Sequence, residues 1–122
     1  MAKKNILVIE DNHAILDVIT LILESEAFNV DGLNKGADFI NHVREFNPDV
    51  IIMDIMLPDV DGRVLLKELK DAEATRDIPV LMISARYNAS NYTVDGLEAD
   101  DFMAKPFNID ELMDKIYALL KK

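Results

Sequence analysis

Three short apolar runs, separated by longer segments of helical periodicity, constrain the fold of this chain more than any other feature. They span 5–9, 50–53 and 80–83. Each run is continuous and rich in β-branched residues, which is typical of strands buried on both faces of a sheet. Two weaker strands are predicted at 28–30 and 101–104.

The segments between these runs have the spacing of amphipathic helices. In the last one, apolar residues recur at steps of three and four from Ile109 to Leu120, and Asn108 is a natural N-cap. Four further helices are predicted at about 12–25, 35–45, 63–71 and 89–97. Strand and helix therefore alternate five times, which predicts an α/β fold with a parallel sheet covered on both faces and right-handed connections.

The composition narrows the class of protein. At 122 residues, without a linker or low-complexity tract, the chain is expected to form one domain over 1–122. It has no cysteine, which excludes disulfides and thiol chemistry and favours a reducing compartment, so we expect a cytoplasmic protein. No apolar run approaches the roughly 20 residues that span a bilayer. The formal net charge of −10 argues against direct nucleic-acid binding.

Acidic residues follow two of the predicted strands. Glu10 and Asp11 end the first run and Asp54 ends the third. Ligands of open parallel sheets bind beyond the carboxyl ends of the strands, so neighbouring strands would bring the three carboxylates together. A single acidic residue there is more often a turn or helix cap, but three in close proximity need a counter-charge. A hard divalent cation supplies it, and we expect Mg²⁺, with Mn²⁺ as a substitute.

Two other strand ends carry complementary chemistry. Ser84 offers a hydroxyl at the end of the fourth strand and Lys105 an ammonium at the end of the fifth. A carboxylate, a metal, a hydroxyl donor and a cation are the groups that bind a transferring phosphoryl group, whose charge is spread over its equatorial oxygens. The pattern predicts that Asp54 is a phosphoryl acceptor.

The sequence closely resembles the receiver domain of two-component response regulators over nearly its whole length. The matching segments are Glu10-Asp11-Asn12, 54–62, Ser84-Ala85 and 99–107. The resemblance implies a flavodoxin-like, doubly wound (βα)5 fold with strand order 2-1-3-4-5.

The resemblance also implies roles for individual residues at the carboxylates. Asp54 matches the aspartate that takes a phosphoryl group from a histidine of a partner kinase or phosphotransfer protein. Asp11 matches the direct Mg²⁺ ligand, Glu10 the ligand that acts through water, and Met56 the residue that offers its backbone carbonyl.

The resemblance also implies roles for residues on the fourth and fifth predicted strands. Ser84 and Lys105 match the residues that bind phosphoryl oxygens, with a cis bond at Lys105-Pro106, and Phe102 matches the switch aromatic. Phosphorylation is expected to draw Ser84 inward and let Phe102 fill the vacated space. This would bias the surface of the predicted fourth helix, fifth strand and fifth helix toward a target protein, an effector domain or a phosphorylation-dependent homodimer.

Two other functions are compatible with parts of this pattern. An aspartate-nucleophile phosphatase of the haloacid-dehalogenase type needs a second aspartate two residues after the nucleophile, where this chain has Met56. A pseudo-receiver, which binds a partner without taking phosphate, is the other alternative, although every acceptor-site position is filled by a competent residue. Glu98 stands where the family usually has glycine, which affects the turn into the fifth strand and leaves the chemistry of the site unchanged. We expect no enzymatic activity beyond self-catalysed phosphotransfer and autodephosphorylation. His13 and His42 have no supporting ligands, and His42 is predicted to be a surface residue.

Overall fold

A five-stranded parallel sheet forms the centre of the molecule. The computed structural model describes residues 3–85, 93–94 and 97–121. The strands, in chain order, are β1 (Asn5–Ile9), β2 (Asn29–Leu33), β3 (Val50–Asp54), β4 (Val80–Ser84), β5 (Thr93–Val94), β6 (Leu97–Glu98) and β7 (Asp101–Ala104). The sheet has the order β2-β1-β3-β4-β7, and all of its neighbours are parallel. With β7 as its fifth strand, this is the predicted order 2-1-3-4-5.

Four helices accompany these strands in the part of the chain that the structure describes. They are α1 (His13–Ser25), α2 (Phe39–Phe46), α3 (Gly62–Asp71) and α4 (Ile109–Leu120). Asparagine side chains cap two of them: Oδ1 of Asn12 accepts the N–H of Ile15 at 3.1 Å, and Oδ1 of Asn108 accepts that of Glu111 at 2.6 Å. Each cap satisfies a backbone donor that has no partner within its helix.

Two of the described helices cover each face of the sheet. Ile6 and Val8 of β1 belong to a core cluster that includes residues of α1 and α4, whereas Leu7 and Ile9 belong to one that includes residues of α2 and α3. Successive side chains of a strand point to opposite faces, so a strand buried on both faces must be apolar at every position. This confirms the interpretation of the continuous apolar runs.

Helix α2 begins at Phe39, four residues after its predicted start at Lys35. The backbone N–H groups of Gly36 and Ala37 donate to the carboxylate of Asp59 at 2.8 and 2.9 Å. Asp38 follows in the left-handed region with φ of 63°. The residues expected to form the first turn therefore make a contact with another loop.

The helix predicted at about 89–97 is wrong for the residues that the structure describes. Thr93–Val94 and Leu97–Glu98 pair as the antiparallel strands β5 and β6. The dipeptide between them in the sequence, Asp95-Gly96, is favoured in two-residue β-hairpins. The rest of this prediction, 89–92 and 95–96, lies outside the described residues.

Strand β2 extends to Leu33, beyond the predicted stretch at 28–30. All five of its residues pair in register with β1, from Asn5↔Asn29 to Ile9↔Leu33. Across the described ranges, no helix combines the length and apolar character required to cross a membrane.

Candidate functional site

Three carboxylates meet at the carboxyl edge of the sheet. Strands β1 and β3 are neighbours with Ile9 opposite Met53, so Glu10 and Asp11 leave β1 beside Asp54. One oxygen from each carboxylate lies within 4.8 Å of the other two. Glu10 and Asp54 are buried, with 0% and 3% of their surface exposed, whereas Asp11 faces solvent. The cluster is thus enclosed on one side and open on the other.

Lys105 joins two of these carboxylates. Its Nζ lies 2.6 Å from Oε1 of Glu10 and 2.9 Å from Oδ2 of Asp54. The backbone N–H of Lys105 donates to the carbonyl of Ser84 at 2.8 Å, which continues the pairing of β7 with β4. The peptide bond between Lys105 and Pro106 is cis, as the resemblance to receiver domains implied. One ammonium therefore partly neutralises the ends of β1 and β3.

The electrostatics of the cluster favour an additional cation. Burial raises the pKa of Glu10 to about 7, and the neighbouring Asp11 and Asp54 act in the same direction, against Lys105 and the Asn12 N–H. Burial lowers the pKa of Lys105, but the hydrogen bonds to Glu10 and Asp54 outweigh it, so the net direction is upward. Three carboxylates share one ammonium, and a bound cation would favour the ionised form of Glu10.

The loop after β3 folds back against Asp54. The N–H of Met56 donates to Oδ1 of Asp54 at 3.0 Å, and Met56 pairs with Asp61 in an isolated antiparallel bridge. The N–H of Gly62 donates to the carbonyl of Ile55 at 2.6 Å. A Cβ added to Gly62 would lie 2.4 Å from the carbonyl oxygen of Asp54, so this close return of the backbone requires glycine. The side chain of Met56 is 52% exposed beside the acceptor.

Ser84 and Phe102 lie on the same face of the sheet. Ser84 is opposite Ala104, and Phe102 is opposite Met82, in the parallel register of β4 with β7. Side chains at i and i+2 of a strand share a face, as do partners in register. Both residues are buried, and the ring of Phe102 belongs to the core cluster on the α2 and α3 side. The structure thus brings Glu10, Asp11, Asp54 and Lys105 into one cluster, with Ser84 at the next strand end.

Two contacts of α2 and the loop before it were not predicted from the sequence. Nδ1 of His42 on α2 lies 2.8 Å from Oδ2 of Asp31 on the edge strand β2, and Asp59 binds the loop before α2. Neither contact has a local sequence signal, because each joins residues whose distance depends on how α2 packs. His13 is exposed in the first turn of α1.

The family model for the response regulator receiver domain matches residues 6–117. This chain belongs to the receiver-domain family. As a receiver domain it is a phosphoacceptor signalling module of the two-component type, and the match does not favour the aspartate-nucleophile phosphatase or the pseudo-receiver.

Curated relatives of this receiver domain include two transcriptional regulators. The phosphate regulon transcriptional regulatory protein PhoB of Escherichia coli is 37% identical over 121 residues, which cover 98% of this chain and 52% of that protein. The DNA-binding dual master transcriptional regulator RpaA of Synechocystis is 35% identical over 119 residues, covering 96% and 49%. The chain spans about half the length of these curated relatives.

Solved structures share the fold. The Francisella response regulator 1452 receiver domain superposes with a TM-score of 0.85 at 31% identity, covering 98% of each chain. A CheY-like receiver domain protein from Methanospirillum hungatei gives 0.88 at 26% identity, covering 98% of this chain and 95% of the other. These similarities agree with the fold described above.

Proposed function

We propose that Asp54 accepts a phosphoryl group from the phosphohistidine of a partner kinase or phosphotransfer protein. The observation that carries this proposal is the convergence of Glu10, Asp11 and Asp54 within 4.8 Å, with Nζ of Lys105 2.9 Å from Asp54. Such an arrangement combines an acceptor oxygen, a metal-binding group and a cation at the edge of the sheet where ligands bind.

We further propose that the site holds Mg²⁺, with Mn²⁺ as a substitute. The residues present fit this ion, because carboxylate and carbonyl oxygens are the ligands of hard cations and one ammonium leaves the cluster with excess negative charge. Glu10, Asp11, Asp54 and the backbone carbonyl of Met56 would hold it. When bound, the ion would supply positive charge that stabilises the oxygens of the phosphoryl group.

The side chains of the site would then have different roles in phosphoryl transfer. A carboxylate oxygen of Asp54 forms the new O–P bond while the N–P bond of the phosphohistidine breaks, and the histidine leaves with the electron pair. Lys105 pairs with one phosphoryl oxygen and the hydroxyl of Ser84 donates to another. These groups are fixed by strand ends, so little reorganisation is needed as charge develops.

The conformational change that follows phosphorylation is proposed to involve Ser84 and Phe102. They share a face of the sheet, and both are buried. Phosphorylation would stabilise this arrangement through the new contact of Ser84 and so change the surface around β7 and α4. A target protein, an effector domain or a second copy of the chain would bind at this surface.

Incubation with acetyl phosphate and Mg²⁺, followed by intact mass, tests the acceptor. We expect one phosphoryl adduct on the wild type, none on Asp54→Ala, and full labelling of Asp49→Ala, whose aspartate lies in the loop before β3 at the opposite edge of the sheet. An unlabelled wild type, or equal labelling of Asp54→Ala, would refute the proposal.

A further inference from the structure

Asp59 connects the loop after β3 (residues 55–61, the acceptor loop) to the start of α2. Its Oδ1 accepts the N–H of Gly36 at 2.8 Å and its Oδ2 accepts the N–H of Ala37 at 2.9 Å. The two loops are separated by more than 20 residues of sequence but lie side by side, because β2 and β3 both flank β1 in the sheet. One carboxylate thus uses both oxygens to join the loops that leave these two strands.

A second contact, next to the first, holds the same loop. A Cβ added to Gly36 would lie 2.4 Å from Cγ1 of Val60, so the loop before α2 approaches Val60 as closely as a glycine allows. The base of the acceptor loop is closed by the bridge between Met56 and Asp61. The loop is therefore fixed at its base by its own backbone and at its tip by Asp59 and Val60.

The Asp59 contact is a strong one for an exposed side chain. The hydrogen bond from Gly36 is the largest influence and lowers the pKa of Asp59, with a further contribution from Ala37, although desolvation opposes them. The carboxylate is accordingly ionised at neutral pH. Hydrogen bonds from N–H groups to an ionised carboxylate are shorter and stronger than those between neutral groups.

We propose that Asp59 is a positioning residue for the acceptor site, because its bonds to Gly36 and Ala37 fix the loop that carries Met56. Met56 is three residues before Asp59, donates its N–H to Asp54 and would offer its carbonyl to the metal. Asp59 then acts on the metal only through Met56. The proposal rests on the proposed function, since it presupposes that the site binds Mg²⁺ and accepts phosphate.

If the contact of Asp59 with Gly36 and Ala37 were merely structural, its loss would change stability and leave the affinity for Mg²⁺ unchanged. Asp49 provides the matched control: its Oδ2 accepts the backbone N–H of Asn5 at 2.8 Å, a similar bond between two segments at the opposite edge of the sheet. Asp49→Ala should lower stability and leave the affinity for Mg²⁺ unchanged. Asp59→Ala should lower stability and also weaken the binding of Mg²⁺.

The experiment compares the wild type with Asp59→Ala, Asp59→Asn and Asp49→Ala by titration with Mg²⁺ in a calorimeter and by urea unfolding. Loss of a residue that orients a metal ligand typically weakens binding 10- to 100-fold, so we expect Asp59→Ala to raise the Kd about tenfold. Asp59→Asn keeps one acceptor oxygen and should give an intermediate Kd. Amide spectra should show the resonances of Gly36 and Ala37 shifted in both variants.

Gly36→Ala tests the proposal without altering Asp59. Its Cβ would displace Val60 and move the same loop, so its Kd for Mg²⁺ should also rise. If the Asp59 variants shift the Gly36 and Ala37 resonances but bind Mg²⁺ as tightly as the wild type, the positioning role is overturned and the proposed function stands. If the wild type itself neither binds Mg²⁺ nor accepts phosphate, the proposed function fails.

Discussion

Nζ of Lys105 lies 2.9 Å from Oδ2 of Asp54, although 51 residues separate them in sequence. The same ammonium lies 2.6 Å from Oε1 of Glu10. Lys105 therefore neutralises two of the carboxylates proposed to hold the metal. A cation that binds there must share these oxygens with the ammonium, so Lys105 both stabilises the metal-free cluster and opposes metal binding.

Replacing Lys105 with methionine should separate these two effects. Removing one positive charge within about 5 Å of the metal is worth about 1.5 kcal/mol in a solvent-like dielectric, so Mg²⁺ should bind roughly tenfold more tightly. Labelling by acetyl phosphate should fall, because the cation that pairs with the phosphoryl oxygen is lost. Calorimetry and intact mass measure the two quantities.

Lys115→Met is the control for this prediction. Lys115 pairs with Asp101 at 3.1 Å, between α4 and β7 and outside the acceptor cluster. It should change neither Mg²⁺ affinity nor labelling by more than about twofold. Unchanged or weaker Mg²⁺ binding by Lys105→Met would contradict the competition between the two cations.

The close approach of Gly62 to the carbonyl of Asp54 supports a second prediction. Adding a Cβ at Gly62 places it 2.4 Å from the carbonyl oxygen of Asp54 and 3.0 Å from Cα of Ile55, and both are backbone atoms that cannot rotate away. Gly62→Ala should cost about 2 kcal/mol of unfolding free energy in urea and reduce labelling of Asp54, because the acceptor backbone must move.

Gly32→Ala is the matched substitution. Its Cβ would meet Cδ1 of Leu16 at 3.3 Å, which is the end of a flexible side chain. We expect a change of less than about 1 kcal/mol and normal labelling. Equal destabilisation by the two variants would show that the close return of the loop at Gly62 does not exist in solution.

The sequence was most informative where burial alone determined the structure. A strand covered by helices on both faces has no polar side, so continuous apolar runs located β1, β3 and β4 to within one residue. The first polar residue after such a run marks the edge of the sheet. Glu10 and Asp54 could be placed together for that reason.

Contacts between distant segments could not be predicted in this way. The start of α2 follows Asp38 in the left-handed region, next to the bonds that Gly36 and Ala37 donate to Asp59, and no periodicity in the sequence predicts this arrangement. Strand β2 continues through Asp31 and Gly32, which have low β-propensity, because the ladder with β1 supplies their hydrogen bonds.

Phe102 supports a prediction about stability. Its ring is buried in the core cluster on the α2 and α3 side. Phe102→Ala should cost about 3–4 kcal/mol of unfolding free energy in urea, as truncation of a buried phenylalanine does. Phe107→Ala, at a half-buried ring, should cost clearly less. Equal losses would mean that the ring of Phe102 is not held inward in the unphosphorylated protein.

His42 and Asp31 form a pair whose strength depends on pH. The hydrogen bond to Asp31 raises the pKa of His42 above its ordinary value, burial opposes this, and the charges of Asp31, Glu45 and Asp38 add to it. The folded-state pKa therefore lies above the unfolded value of about 6.5. The stabilisation is fully present below that value and is lost as pH rises through the folded-state pKa.

The unfolding free energy of the wild type and of His42→Gln should accordingly differ more at about pH 5.5 than at about pH 9. The His42 side chain is 36% exposed, so the pair is screened by solvent and the change between the two conditions should be about 0.5 kcal/mol. Urea unfolding at low ionic strength measures it. His13→Gln, which removes an exposed imidazole in the first turn of α1, is the control. In an Asp31→Asn background, replacing His42 with Gln should no longer give a pH-dependent difference in unfolding free energy. A difference that grows toward alkaline pH would contradict the pairing, because it would require a histidine whose neutral form is favoured by folding.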